Sequence, residues 1–165
     1  MRGCHAYATS FVDCLPRGVR SRRLCALAAP LGRLRRTTEL CWRSSLLDAY
    51  RGTTDDEGET IADALQAIDG YIQRILLPYS LVVECDRTLI AIAFTVLVRG
   101  RHYIDPVATA SSYKNKGIGA AAVSAVLDLL SEDGIAEVGA VITQGNLPSE
   151  RLFSSLGFER VGVWS

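Results

Sequence analysis

Tyr113-Lys114-Asn115-Lys116-Gly117-Ile118-Gly119-Ala120 is the stretch on which the reading of this sequence turns. It lies between a β-rich run, Tyr103–Thr109, and a run with apolar positions at Ile118, Ala122, Val126, Leu129 and Leu130. That is a strand, a loop and a helix. The first N–H groups of a helix have no partner inside it and carry the positive end of its dipole. Glycines at 117 and 119 remove side chains that would hold an anion away, and Lys114 and Lys116 bring formal charge beside those amides. The segment Lys114, Asn115, Lys116, Gly117, Ile118, Gly119, Ala120 therefore reads as a cradle for a phosphate or pyrophosphate. The plainer alternative is a tight turn with two glycines, and the flanking lysines weigh against it.

The kind of anion is narrower. A Walker loop needs G-x-x-x-x-G-K-[ST], which is absent. Gly117-Ile-Gly119-Ala-Ala-Ala122 matches the dinucleotide pattern G-x-G-x-x-[GA] in form. Against that, the preceding loop is long and basic, and no acid ends the next strand, since Glu137 falls near its start. The strands upstream also read as antiparallel hairpins, whereas a dinucleotide half needs successive crossovers.

Working outward, Leu81–Cys85 and Leu89–Val98 are strands joined by a turn at Asp86-Arg87, and Gly100-Arg101 makes a second turn. Downstream, Asp133-Gly134 stops the helix. Ile135–Thr143 is a strand, Pro148 opens a helix to Leu156, and Phe158–Trp164 is a final strand. Upstream, Thr38–Tyr50 is helical, with Leu40, Leu47 and Tyr50 on one face. The acidic stretch RGTTDDEGE follows. Ile61, Leu65, Ile68, Ile72 and Ile75 then mark a second helix, stopped by Pro78. The fold class is α/β, with a mixed, mostly antiparallel sheet.

The chain has 165 residues, enough for one domain, and 48% belong to the apolar class. No apolar run approaches the ~20 residues needed to cross a bilayer, so no membrane partner is expected. The formal net charge of zero hides an asymmetry. Residues 1–43 hold nine Arg against Asp13 and Glu39, and residues 44–165 carry a net −7. The acidic main body makes nucleic acid an unexpected partner. Cysteines stand at 4, 14, 25, 41 and 85, without CxxC spacing, beside two histidines, His5 and His102. No metal site is expected, and scattered thiols fit a reducing, cytoplasmic location.

Residues 1–37 form a basic arm that lacks a sustained period. Three readings stand: an arm that is partly disordered or contributes one strand near Leu24–Ala28, a transit peptide, and an extension from a misassigned start.

Lys114-x-x-Gly117-x-Gly119 resembles the R/Q-x-x-G-x-G/A pyrophosphate loop of the GNAT N-acetyltransferases. Thirty residues on, Asn146-Leu-Pro-Ser149-Glu-Arg-Leu152-Phe153-Ser-Ser-Leu156-Gly157-Phe158 resembles that family's N-x-x-A-x-x-L-Y-x-x-L-G-F motif. Residues 46–60 are similar to the N-terminal helix and loop of some bacterial members. The resemblance covers roughly residues 38–165. Lys114 replaces Arg or Gln, Ser149 replaces Ala, and Phe153 stands where many members have a Tyr able to protonate the departing thiolate.

The resemblance implies a GNAT-like domain with a V-shaped splay between strands 103–109 and 135–143. It implies acetyl-CoA as co-substrate, without a metal, and acetyl transfer to a primary amine of a small molecule or peptide. A homodimer is one assembly it allows. Carried over, Val107, Ala108 and Thr109 would meet the pantetheine arm and the oxyanion, and Asn146, Ser149 and Phe153 would line the CoA side. Asn146 is alternatively a residue that only closes a helix turn. Base candidates are Glu57, Glu59 and Asp105. The acidic run is alternatively a solvated cluster. Asp105 shares strand parity with Tyr103, Val107 and Thr109 and could instead pair with Arg101. Two other classes compete: a CoA-binding module without catalysis, for which Phe153 is the motive, and a dinucleotide-binding domain.

Overall fold

The β-branched and apolar run Thr88–Val98 forms the longest strand and is buried at eight consecutive positions, because the sheet is covered on both faces. The computed structural model describes residues 4–10, 29–30, 48–54, 56, 58, 60, 62, 66, 73–85 and 88–164. Within them the strands are β1 (Cys4–Ser10), β2 (Ala29–Pro30), β3 (Leu81–Cys85), β4 (Thr88–Val98), β5 (Arg101–Thr109), β6 (Glu137–Thr143) and β7 (Glu159–Trp164). They make one sheet in the order β2-β3-β4-β5-β6-β1-β7, and its parallel pair is β5 with β6. Helix α1 (Ile118–Glu132) joins these two, and α2 (Leu147–Ser155) joins β6 to β7.

The core has two halves. Leu81, Val83, Ala91, Ala93 and Ile104 pack on one face with Ala122, Val123, Val126 and Leu130 of α1 and Phe153 of α2. Val82, Leu89, Ile92, Phe94 and Ala108 pack on the other face with Ala49. The buried face of α1 is Gly119, Ala122, Val123, Val126 and Leu130, whereas the expected Ile118 and Leu129 are half-buried at its margin. Each fully buried Val or Leu of this set contributes about 1.5–3 kcal/mol.

Two irregularities set the register. Val83 pairs with Ala91 but Glu84 with Leu89, so Ile90 is an extra residue in β4. Ala93 pairs with Val107 but Thr95 with Ile104, so Asp105 and Pro106 together oppose Phe94. The second bulge overturns the expected parity. Ile104 and Val107, three apart, both pack on the α1 side. Tyr103 pairs with Val96, on the opposite face from Val107 and Thr109.

The turn between β4 and β5 is Arg99-Gly100, one residue earlier than expected. Both have positive φ, 51° and 78°, the requirement of the two-residue turn that matches strand twist. Past the end of β3, the backbone of Thr95 finds other partners. Its N–H donates to Ser80 Oγ (2.9 Å), and its carbonyl accepts from the Leu76 N–H (2.7 Å). Its hydroxyl donates to the Tyr79 carbonyl (2.6 Å), so this buried polar pair is satisfied.

Several expectations need revision. Ile75 is not on a helix face: it bridges Val96 as a short extended residue. Pro78 lies inside a 3-10 turn, Leu77–Tyr79. Of the two expected early helices, residues 48–50, 62 and 66 are described as helical. The Asp86-Arg87 turn and Leu24–Ala28 lie outside the described residues. The basic arm places two strands in the sheet, β1 and β2, where at most one was expected. β1 runs antiparallel to both β6 and β7, and β7 pairs with β1.

Deleting residues 1–10 removes the strand that ties β7 to the sheet and opens the edge of β6. The melting temperature is expected to fall by more than about 10 °C, several kcal/mol at this chain length. A fall of under about 2 °C in a calorimetric scan would contradict the placement of β1. Phe153 is 4% exposed and meets Phe158 edge-to-face at 4.9 Å. Phe153→Tyr adds a hydroxyl to this apolar contact and should cost about 1–3 kcal/mol, read as an earlier urea midpoint.

Candidate active site

The parallel ladder between β5 and β6 holds only at His102–Val138 and Tyr103–Gly139. Beyond those pairs come the bulge at Asp105-Pro106 and then Val107, Ala108 and Thr109, whose ladder partners are Ala93, Ile92 and Ala91 on β4. The β6-facing edge of β5 is thus parted from β6 over its last residues, which is the expected V-shaped opening. The Ala110 N–H donates to the Ile90 carbonyl (2.8 Å), so the bulged residue of β4 secures the point where the chain leaves the sheet.

The glycine loop starts there. Ser111–Tyr113 is a 3-10 turn, Lys114 is extended, and Asn115 has φ 60°. Gly117, at φ 75°, is the N-cap of α1. The first helical bond joins the Ala121 N–H to the Gly117 carbonyl (3.0 Å), so the amides of Ile118, Gly119 and Ala120 precede it at the positive end of the helix. No acid occupies the first turn. A Cβ at Gly117 would meet no atom within 4 Å, so its hydrogen fronts open space, and only its left-handed backbone demands glycine. Gly119 differs: a Cβ there would stand 3.1 Å from both Leu152 Cδ1 and Thr109 Oγ1. Its bareness lets α1 approach β5 and α2.

Both lysines are engaged with backbone carbonyls. Lys114 Nζ donates to the carbonyl of Ala49 (2.7 Å). Lys116 Nζ donates to the carbonyl of Ser112 (2.9 Å) and stands 5.0 Å from the centre of the Tyr113 ring. In this structure the positive character of the cradle is that of the backbone.

On the second motif, Asn146 caps α2, its side-chain oxygen accepting from the Ser149 N–H (3.2 Å). That is the turn-closing alternative, and it occupies the oxygen of Asn146 and the amide of Ser149 with each other. Phe153 belongs to the core under α1 rather than to an open surface. Leu152 rather than Phe153 meets the cradle, through Gly119.

Of the acids, Glu57 and Glu59 lie outside the described residues. Asp105 is half-buried on the bulge. Asp56, inside the acidic run, accepts from the Gly52 N–H (2.7 Å) and the Gly58 N–H (3.0 Å). Those two backbone bonds hold its carboxyl below the usual carboxylate range. Asp56 therefore organises its own loop. Asp48 was not foreseen: its carboxylate accepts from the Ser111 hydroxyl (2.9 Å) and N–H (3.3 Å). Nothing local in the sequence signals a partner 63 residues away.

Arg101 pairs with Glu137 at 3.8 Å. A hollow of about 450 Å³ opens at this paired end of β5 and β6, with Arg101, Tyr103, Glu137, Gly139 and Val161 among its walls. His102 meets Tyr79 edge-to-face at 6.0 Å, and the Tyr79 hydroxyl donates to Asp133 (2.6 Å). Among the described residues no three His, Cys, Asp or Glu are grouped to hold a metal ion, and no helix is long and apolar enough to cross a membrane.

No curated protein matches the sequence significantly. Among solved structures, a GCN5-related N-acetyltransferase from Sphaerobacter thermophilus superposes with a TM-score of 0.71 at 16% identity, over 98% of this chain and 49% of that one. The chain thus spans about half the length of that protein. The ribosomal-protein-S18-alanine N-acetyltransferase of Escherichia coli gives 0.61 at 19% identity, over 78% of this chain and 76% of that one. The PaiA N-acetyltransferase of Thermoplasma acidophilum, in complex with coenzyme A, gives 0.57 at 13% identity, over 70% and 80%. At these identities the likeness is one of fold. The sequence itself matches the acetyltransferase (GNAT) family over residues 42–158. Because that match crosses most of the chain and takes in both the glycine loop and α2, the chain belongs to the GNAT acetyltransferase family.

Proposed function

We propose that this chain is an acetyl-CoA-dependent N-acetyltransferase acting on a primary amine of a small molecule or a peptide. The observation that carries the reading is the juxtaposition of the bare first turn of α1, entered through Gly117 at φ 75°, with the parted edge of β5 at Val107–Thr109. The cradle suits a pyrophosphate: three forward amides, a positive dipole end, no acid in the first turn, and open space where a side chain would stand.

Bound acetyl-CoA supplies the thioester, whose acetyl carbon bonds the amine nitrogen as its bond to sulfur breaks. The chain's share is positioning and charge. The amides of Ile118, Gly119 and Ala120 hold the pyrophosphate. The edge of β5 at Val107, Ala108 and Thr109 orients the arm and meets the oxyanion with a backbone N–H. The amine must lose a proton to attack, and Asp105, Glu57 and Glu59 are the acids offered for that task. Asp105 sits on the bulge between the last paired residues and the open edge. The acceptor side is read as the sheet face away from α1, where Tyr103 and Ala49 lie. Phe153 is not used as an acid. A thiol of pKa near ~8.5 leaves readily enough for water to serve.

Calorimetry with CoA tests the cradle. Gly117→Asp puts a carboxylate at the dipole's positive end and should weaken CoA binding at least tenfold in a protein that keeps its circular dichroism. Unchanged affinity would overturn the site. Free-thiol release over a panel of amines and peptides tests the chemistry: CoA binding without turnover would make the chain a binding module, and displacement of CoA by NAD would make it a dinucleotide domain. With a working amine, Asp105→Asn should lower kcat by about 10²-fold or more and remove the acidic limb of the pH profile. An unchanged profile would move the base to Glu57 or Glu59.

A further inference from the structure

The loop that holds the pyrophosphate in the reading above is bound to a distant part of the chain. Lys114 Nζ donates to the Ala49 carbonyl at 2.7 Å, across 65 residues of sequence. Three residues earlier, the Ser111 hydroxyl donates to the Asp48 carboxylate (2.9 Å) and approaches the Asp48 carbonyl (3.1 Å), and the Ser111 N–H donates to the same carboxylate (3.3 Å). Ala49 is itself 5% exposed, packed with Ile92, Phe94 and Ala108 in the second half of the core. Its carbonyl is therefore a fixed point rather than a mobile one.

The next turn continues from this anchor. Tyr50 offers its carbonyl to the Thr53 N–H (3.0 Å) and the Thr53 hydroxyl (2.6 Å). The Thr53 carbonyl accepts from the Asp56 N–H (3.2 Å), and the Asp56 carboxylate closes the loop on Gly52 and Gly58. The described residues 50, 52, 53, 56 and 58 are thus linked by a run of bonds that starts beside Asp48 and Ala49. The chemistry of residue 114 suits a strut. A lysine ammonium is a compact point charge on a flexible stem and can be satisfied by one well-placed carbonyl, without the flat fork that grips a phosphate in two places. The bond is part-buried, where a charged donor is worth more than in water.

We propose that Lys114 and Ser111 are positioning residues: they hold Asp48–Tyr50, and with it the acidic loop 51–58, against the glycine loop, so that the two sides of the site keep one spacing. Lys114 is the strut between the loops and not a ligand of the phosphate. The inference rests on the CoA reading only for what the glycine loop holds. The tie itself stands on the bonds above.

The test uses the full chain and CoA as the probe, with amide exchange followed by mass spectrometry. Lys114→Met should speed exchange in residues 50–58 at least fivefold, leave α1 and β4 unchanged, and alter the CoA dissociation constant less than threefold. Lys114→Arg keeps a donor within reach of the Ala49 carbonyl and should restore protection. Ser111→Ala, a milder change that keeps the charge, should loosen the same segment in the same direction. A tenfold or greater loss of CoA affinity in Lys114→Met would overturn the assignment and make Lys114 a phosphate ligand. Unchanged exchange in residues 50–58 in both Lys114→Met and Ser111→Ala would overturn it from the other side. If the unaltered chain binds no CoA, the cradle fails while the exchange result still decides the strut.

Discussion

Asp105 and Pro106 stand opposite one residue of β4, Phe94, and this added residue turns β5 about its own axis. Before it, β5 is a partner of β6. After it, Val107 packs on the α1 side, Thr109 comes within reach of Gly119, and the ladder to β6 has ended. The opening in the sheet, the direction of the strand into the glycine loop and the closeness of α1 all follow from that turn. The neighbouring strand takes part as well. Its own extra residue, Ile90, offers the carbonyl that receives the Ala110 amide as β5 leaves the sheet.

Around this opening the two kinds of charge are handled differently. The positive side is made from backbone: the amides ahead of the first helical bond and the dipole behind them, which need no side chain and cannot be screened by rotating one. The lysines expected there are engaged with carbonyls of Ala49 and Ser112. On the negative side, Asp56 and Asp48 are tied to amides and a hydroxyl. These four charged side chains are thus bonded within and between the loops.

The elements differ in how far the residues alone reveal them. The strand–loop–helix from Tyr103 to Leu130 is legible, because β-branched runs, two glycines and a helical period all agree there, and the helix runs on to Glu132. The register is not legible. A single inserted residue leaves the alternation of half-buried and buried positions along β5 intact while exchanging the faces, so parity assigned Tyr103 and Val107 to one side when they stand on two. Ile75 keeps the helical spacing expected of residues 61–75 but joins Val96, where pairing to a sheet outweighs helical propensity. Asp48, Ser111 and Ala49 carry no local mark, since their partnership exists only when residues more than 60 apart meet. The motif marks Phe153 as a site residue, yet an aromatic beside Phe158 is also what a core requires, and Phe153 is buried in the core.

The placement of β1 between β6 and β7 has a consequence for how the sheet is assembled. Cys4 lies opposite Thr143 on one side and Trp164 on the other, so the first strand and the last two are mutually dependent neighbours. Pairings across almost the whole chain are the slowest kind to form, because the loop they close must be ordered before any contact rewards it. The β3–β4–β5 meander, with a two-residue turn between β4 and β5, can form from near neighbours and serve as a template. The β6–β1–β7 half needs residues 4–10 to meet strands more than a hundred residues further along. During synthesis, β1 emerges first and has no mate until β6 follows more than a hundred residues later. For that interval β1 presents two strand edges that β6 and β7 cover only later, and such open edges are templates for pairing with another chain.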